Sequence, residues 1–181
     1  MTQKLPIRAR HSRQAGFSLI EVLVAMVVLS VGLMGSIGMI CVAAASNGGS
    51  KLNTTAATLA ESAMERIVAL PAGSAGNSAL TSLTDCHGNL YTMDSSQGGS
   101  PLTNNGTFTS VDFHQPAVPN YSMQYVMCSS GQNLTYDVRW RVDPGPTPST
   151  ELVTVSVRST VSAGPAATLA RPITLRTLRG N

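Results

Sequence analysis

One carboxylate stands where carboxylates are expensive. Glu21 is the only charged residue in the run FSLIEVLVAMVVLSVGLMGSIGMICVAAA from Phe17 to Ala45, and no further charge follows until Lys51. Within lipid such a group costs several kcal/mol unless it is paired, so by default it marks a function. Two other groups of reactive side chains lie downstream, Cys86 with His87 and, farther on, His114 with Cys128. Drawn together they resemble a zinc set, but their spacing matches no compact metal pattern, and no metal is expected. There is no Gly-x-Ser-x-Gly turn, phosphate loop or His-Glu-x-x-His helix, so both histidines read as exposed loop residues. The chain is expected to have no catalytic residue and to need no cofactor.

The elements that must position these groups follow from composition. The chain has 181 residues, 43% apolar and 12% charged, enough for one domain of ordinary size and too apolar for disorder through excess charge. Its net charge of +3 comes from a leader, because Lys4, Arg8, Arg10 and Arg13 precede residue 17 with no acid among them. From there on 8 basic residues meet 9 acidic ones, which gives no support for a nucleic-acid partner. His11 belongs to that leader.

As a helix, residues 22 to 45 span roughly 36 Å, against a bilayer core of ~30 Å. Four cations before the run and one lysine soon after it put the amino terminus in the cytoplasm and the rest of the chain outside. A secretory signal peptide needs a shorter apolar core, of about 7 to 15 residues, and here the core is longer and contains Glu21. A lipoprotein signal needs a small residue before the modified cysteine, and Cys41 follows Ile40. A plain membrane anchor fits the length but gives Glu21 no purpose.

The string from Gly16 to Ala25, GFSLIEVLVA, resembles the amino-terminal signature of type IV prepilins. In that family a membrane peptidase cuts after the glycine and the new terminal phenylalanine is N-methylated. The longer string GFSLIEVLVAMVVLSVGLMG, with LAESAMERIVALP at 59 to 71, is similar to the PilV family of minor pilins. The resemblance covers about the first 70 residues. It implies cleavage between Gly16 and Phe17, methylation of Phe17, and pairing of Glu21 with the Phe17 amine of an adjacent subunit during assembly. A glycine suits the first role, since without a Cβ it allows a protease close to the scissile backbone.

Gly32, Gly35, Ser36 and Gly38 make a weak helical segment, read equally well as one that stretches or as one that packs closely through small residues. Ser46-Asn47-Gly48-Gly49-Ser50 reads as a helix stop or a soft joint. Beyond it Leu52, Ala56, Leu59, Ala63, Ile67 and Leu70 recur at helical intervals, giving an amphipathic helix that ends at Pro71. Residues 72 to 110 read as a long loop region with a short strand near Leu90 to Met93. Leu134, Tyr136, Val138, Trp140 and Val142 then alternate with polar residues, as do Val153, Val155 and Val157. With flanking strands at Ser122 to Cys128 and Ile173 to Leu178 they give an antiparallel sheet with one buried and one wet face. Trp140 falls inward, and Arg139, Arg141 and Arg158 fall on the wet face beside Asp137 and Asp143.

Cys86 and Cys128 would lie in the oxidising compartment, where a bridge between them is expected. On the chain-entropy account it contributes ~4 kcal/mol. It leaves residues 129 to 181 outside its loop, unlike the bridge of many major pilins, which embraces the last strand. Cys41 is expected to be an inert apolar residue.

The expected fold is therefore α+β and type IV pilin-like: a basic leader at 1–16, a transmembrane and assembly helix at 17–45, an amphipathic helix at 46–71, and an external β-sheet domain at 72–181. The resemblance implies a minor pilin of the inner membrane with its carboxyl-terminal domain in the periplasm, later part of a pilus. Its partners would be other minor pilins, the major pilin, prepilin peptidase and inner-membrane lipid. A pseudopilin of a type II secretion system is the nearest alternative. A membrane-tethered external enzyme or binding protein, with its site in the loop at 72 to 120, is the alternative of another class.

Overall fold

A computed structural model describes residues 16–104, 106, 109–129, 132–161 and 170–180. The leader lies outside the described residues, apart from Gly16. In chain order the elements are α1 (Leu19–Val68), a 3-10 turn (Gly76–Ala79), β1 (Leu80–Thr84), β2 (Leu90–Asp94), β3 (Gly98–Gly99), β4 (Leu102–Asn104), β5 (Thr109–Val111), β6 (Ser122–Ser129), β7 (Gln132–Pro144), β8 (Thr150–Ser159) and β9 (Ile173–Gly180). The architecture is α+β, a long amino-terminal helix followed by antiparallel sheet. The chain divides into two compact units, Met1–Val42 and Ala43–Asn181.

The helix does not stop at residues 46 to 50. It runs through Gly48 and Gly49 as part of the 50-residue α1, which excludes the stop and settles the continuity that the double glycine left open. Each glycine costs up to about 1 kcal/mol relative to alanine in a helix, but Gly49 is buried, so packing offsets the propensity that the sequence displays. Glu21 in the first turn and Arg66 in the last suit the helix dipole. The second half of α1 buries the expected stripe of Leu52, Ala56, Leu59, Ala63 and Ile67, to which Ala60 and Met64 add.

That stripe meets the inward face of the main sheet in one apolar cluster. The strand order is β3-β7-β8-β9, with β6 also paired to β7, and every pairing is antiparallel. Tyr136, Val138, Trp140 and Val142 of β7 lie beside Val157, Val155 and Val153 of β8, all fully or almost fully buried. Trp140 is at the centre, and its indole N–H donates to Asp94 O at 2.7 Å.

Residues 72 to 110 are more ordered than their composition suggests. Besides the expected strand near Leu90 they hold β1, which pairs with β2, then β3 against β7, and the hairpin of β4 with β5. These short strands are rich in Ser, Thr, Asn and Gly, so their order comes from main-chain pairing and leaves no apolar alternation to read. Gly99 is required by this arrangement. Its φ is 116°, and a Cβ there would stand 2.6 Å from Trp140 O and 2.8 Å from Tyr121 Cδ1.

The outer face of the sheet is covered at its centre and wet at its margins. Asp137, Arg139, Thr154 and Ser156 are buried, which corrects the solvated face expected around Arg139, whereas Gln124, Arg176 and Leu178 on the same side are exposed. Asp137 carries two arginines, Arg139 at 3.0 Å and Arg158 at 3.2 Å. Arg139 also donates to Gln115 O at 2.7 Å, and Phe113 lies against both guanidinium groups, at 5.2 Å and 4.5 Å from its ring centroid. The segment around β5 lies over this face, with the backbone N–H of Val111 donating to Ser156 Oγ. The polar alternation is real, but its charges are satisfied by one another and by the covering segment. Arg141 and Asp143, half-buried and paired at 2.6 Å, come closer to the expected exposed pair.

Candidate functional site

The amino-terminal site is built on the first turns of α1. The backbone N–H groups of Glu21 and Val22 both donate to Ser18 O, at 3.0 and 3.2 Å, so the helix opens directly after Phe17 and Ser18. Phe17 is 81% exposed and sits at the start of a surface on which Leu19, Ile20, Leu23 and Val24 are exposed as well. Glu21 shares a helix face with Ala25 and Leu29. The small Ala25 leaves a shallow apolar groove on each side of that row, one walled by Ile20, Val24 and Val28 and the other by Phe17, Val22 and Met26. The carboxylate is thus a single polar point between two apolar grooves.

Among the described residues a Cβ at Gly16 would meet nothing within 4 Å, and its φ lies outside the left-handed region. The described fold therefore does not itself demand a glycine at that position. The same is true of Gly32, Gly35 and Gly38, each with nothing within 4 Å of a Cβ. The most apolar window of α1 is unburied, and the helix is long and apolar enough to cross a membrane. Cys41 is exposed on it as a free thiol.

Residues 11–37 match the prokaryotic N-terminal methylation motif. The chain carries a type IV pilin-like prepilin signal. The match ends within α1 and does not reach the unit Ala43–Asn181. No curated protein and no solved structure matches the chain. The motif runs into the first half of α1, the part of the helix whose length and apolarity are enough to cross a membrane.

The second group of reactive side chains lies in the unit Ala43–Asn181. Cys86 and Cys128 are joined by a disulfide, with Cα atoms 5.8 Å apart. Of the two histidines, His87 stands beside this bridge, whereas His114 is exposed in another loop and its backbone N–H donates to Asp112 Oδ1. The turn that carries Cys86 and His87 is organised by Asp85. Its carboxylate accepts from the backbone N–H groups of His87 and Asn89 at 2.9 Å, from the Asn89 side chain at 2.9 Å, and from the Tyr91 hydroxyl at 3.1 Å. Burial pushes the Asp85 carboxyl up, but the bonds from Asn89, Tyr91 and His87 outweigh it and hold the group below the ordinary carboxylate range. Burial, then the neighbouring Asp85, pushes the Tyr91 phenol up.

Sequence reasoning missed a third constellation, Glu151 with Arg179. Arg179 Nη2 lies 2.6 Å from Glu151 Oε2, and Nη1 donates to Ile67 O at 2.8 Å and Leu70 O at 3.4 Å. A further bond reaches Ser95 O. The last turn of a helix leaves carbonyls without partners, and here one arginine from the last strand supplies them. Strand parity held the signal: Glu151 has the parity of the inward-facing Val153, Val155 and Val157, and Arg179 that of Ile173 and Leu175. Two opposite charges on an apolar face imply a buried pair.

Proposed function

We propose that the chain is a minor subunit of a type IV pilus, similar to the PilV family, made as a precursor and activated by removal of its leader. In this reading prepilin peptidase cuts after Gly16, Phe17 is N-methylated, and residues 17–45 sit in the inner membrane with the carboxyl-terminal domain in the periplasm. Residues 46–71 then continue the spine and 72–181 form the external domain. The subunit joins other minor pilins and the major pilin in an initiating or tip complex, where it acts by helix packing and catalyses no reaction.

The observation that carries the reading is the methylation motif at residues 11–37, leading into a helix whose most apolar window is unburied among the described residues. Glu21 supports it, as a lone carboxylate between two apolar grooves with an adjacent subunit's amine as a natural partner. Gly16 supports it too: among the described residues no contact requires glycine there, and a protease that must approach the backbone does.

Mass spectrometry of the membrane-extracted protein tests the proposal, with a methylated Phe17 expected as the first residue. An intact Met1, or a start at Ser46, would remove it. A pseudopilin of a type II secretion system would give the same terminus. The PilV-like string at 59 to 71 favours the pilus, and a deletion strain that keeps its pili but loses protein export would reverse that choice.

A further inference from the structure

The Cys86–Cys128 bridge is exposed, and a third donor stands beside it. One ligand atom from each of Cys86, His87 and Cys128 falls within 4.8 Å of the other two. In the chain these residues fit no metal pattern, because Cys128 is distant in sequence and is brought up by β6. The junction between the β1–β2 turn and β6 does not depend on the sulfur–sulfur bond alone. The backbone N–H of Cys86 donates to Val126 O at 3.4 Å and the Tyr125 hydroxyl to Thr84 O at 2.8 Å, while the Tyr91 hydroxyl shares its one proton between Asp85 Oδ2 and Gln124 O, the latter at 2.6 Å. Asp85 fixes the turn from within, and its oxygens are occupied by that work. Asn133 Nδ2 stands 3.0 Å from His87 Nε2. An amide nitrogen donates there, so an ion takes the Nε2 lone pair in place of this bond.

We propose that, once the bridge is opened, Cys86, Cys128 and His87 bind a zinc ion at this junction. The opening is a thiol–disulfide exchange. A dithiol reductant gives two electrons and two protons to the Cys86–Cys128 bond, that bond breaks into two thiols, and the reductant becomes a disulfide. The ion then displaces the two thiol protons to solvent and bonds to both thiolates and to one imidazole nitrogen. Two thiolates cancel the charge of the divalent ion, and the fourth tetrahedral position is left to water at this exposed site. Two soft sulfurs and one imidazole favour zinc and disfavour magnesium or calcium, which take oxygen ligands. The ion ties together the same two elements as the disulfide, so a chain that has not yet been oxidised, or has been reduced, keeps its junction.

The test uses the full chain in detergent, in a Cys41→Ser background so that only the two junction thiols report. The protein is reduced with a phosphine, freed of reductant without air, and titrated with zinc against a chromophoric chelator, while Trp140 fluorescence follows the fold. The expected result is one zinc per reduced chain and none on the oxidised chain, binding more than about tenfold weaker in His87→Ala, and a thiolate-to-metal absorption when cobalt replaces zinc. Absence of zinc uptake by the reduced chain overturns the proposal. Equal affinity in His87→Ala overturns it as well, and so does a domain that unfolds on reduction and is not restored by zinc.

Discussion

Arg179 Nη2 lies 2.6 Å from Glu151 Oε2 across the β8–β9 pair, with the two side chains 1% and 4% exposed. The same guanidinium donates to the carbonyls of Ile67, Leu70 and Ser95, so a single side chain ties the last strand to the end of α1 and to the segment after β2. Removing one partner of such a pair strands the other charge in the interior. Arg179→Leu is expected to cost about 3–5 kcal/mol of stability, measured by denaturant unfolding of the intact protein. Arg179→Lys should recover little of it, because an ammonium lacks the fork that reaches Glu151 and the carbonyls together.

The same pair sets an acid limb of stability. Burial pushes the Glu151 carboxyl up, but bonds from Gln97 and Arg179, the Arg179 charge and the Gly73 backbone outweigh it and leave the group below its ordinary value of 4.5. A carboxyl depressed in the folded state contributes stability that is present above the unfolded value and is lost as pH falls through the folded one. Unfolding midpoints should therefore hold above about pH 5 and decline below it. In Glu151→Gln that decline should be shallower.

Gly99 makes a prediction that only the fold supplies. With φ at 116° and a Cβ position 2.6 Å from Trp140 O, Gly99→Ala must move β3 away from β7. The expected cost is about 1–3 kcal/mol, seen as a lower unfolding temperature and altered Trp140 emission. Gly73, whose φ of 75° comes with nothing within 4 Å, should show strain alone and a smaller loss on the same change.

For processing, Gly16→Val should accumulate the uncleaved precursor while leaving the folded unit Ala43–Asn181 unchanged, since a Cβ at residue 16 meets nothing within 4 Å among the described residues. Immunoblotting for precursor and mature forms, with circular dichroism of the extracted protein, measures both halves of this expectation. Normal maturation of Gly16→Val would show that the glycine is not read by the peptidase.

Glu21→Ala should leave membrane insertion and cleavage largely intact, because it makes an already apolar helix more apolar and does not touch the leader. Incorporation into the filament, or co-purification with other minor pilins, should fall instead. If the altered subunit assembles at the normal level, Glu21 is a residue of the headgroup level and its pairing with a neighbour's amine is wrong for this protein.

The sequence by itself determined the elements that carry their own period or punctuation. The apolar run after Phe17, the stripe from Leu52 to Ile67 and the two-residue alternation around Trp140 each specify a face, and a face implies what covers it. It also determined the amino-terminal signal, which is local in the chain and depends on no tertiary contact. The continuity of α1 through Gly48 and Gly49 was decided by packing, since local propensity argued for a break. The order of residues 72 to 110 came from partners such as β7 that lie far along the chain. The burial of Asp137 and Arg139 came from their mutual pairing under the segment around β5, because a charged residue reads as exposed until its partner and its cover are known. The gathering of Cys86, His87 and Cys128 at one junction has the same cause: β6 returns to the β1–β2 turn, and only the folded chain brings a cysteine at 128 beside a histidine at 87.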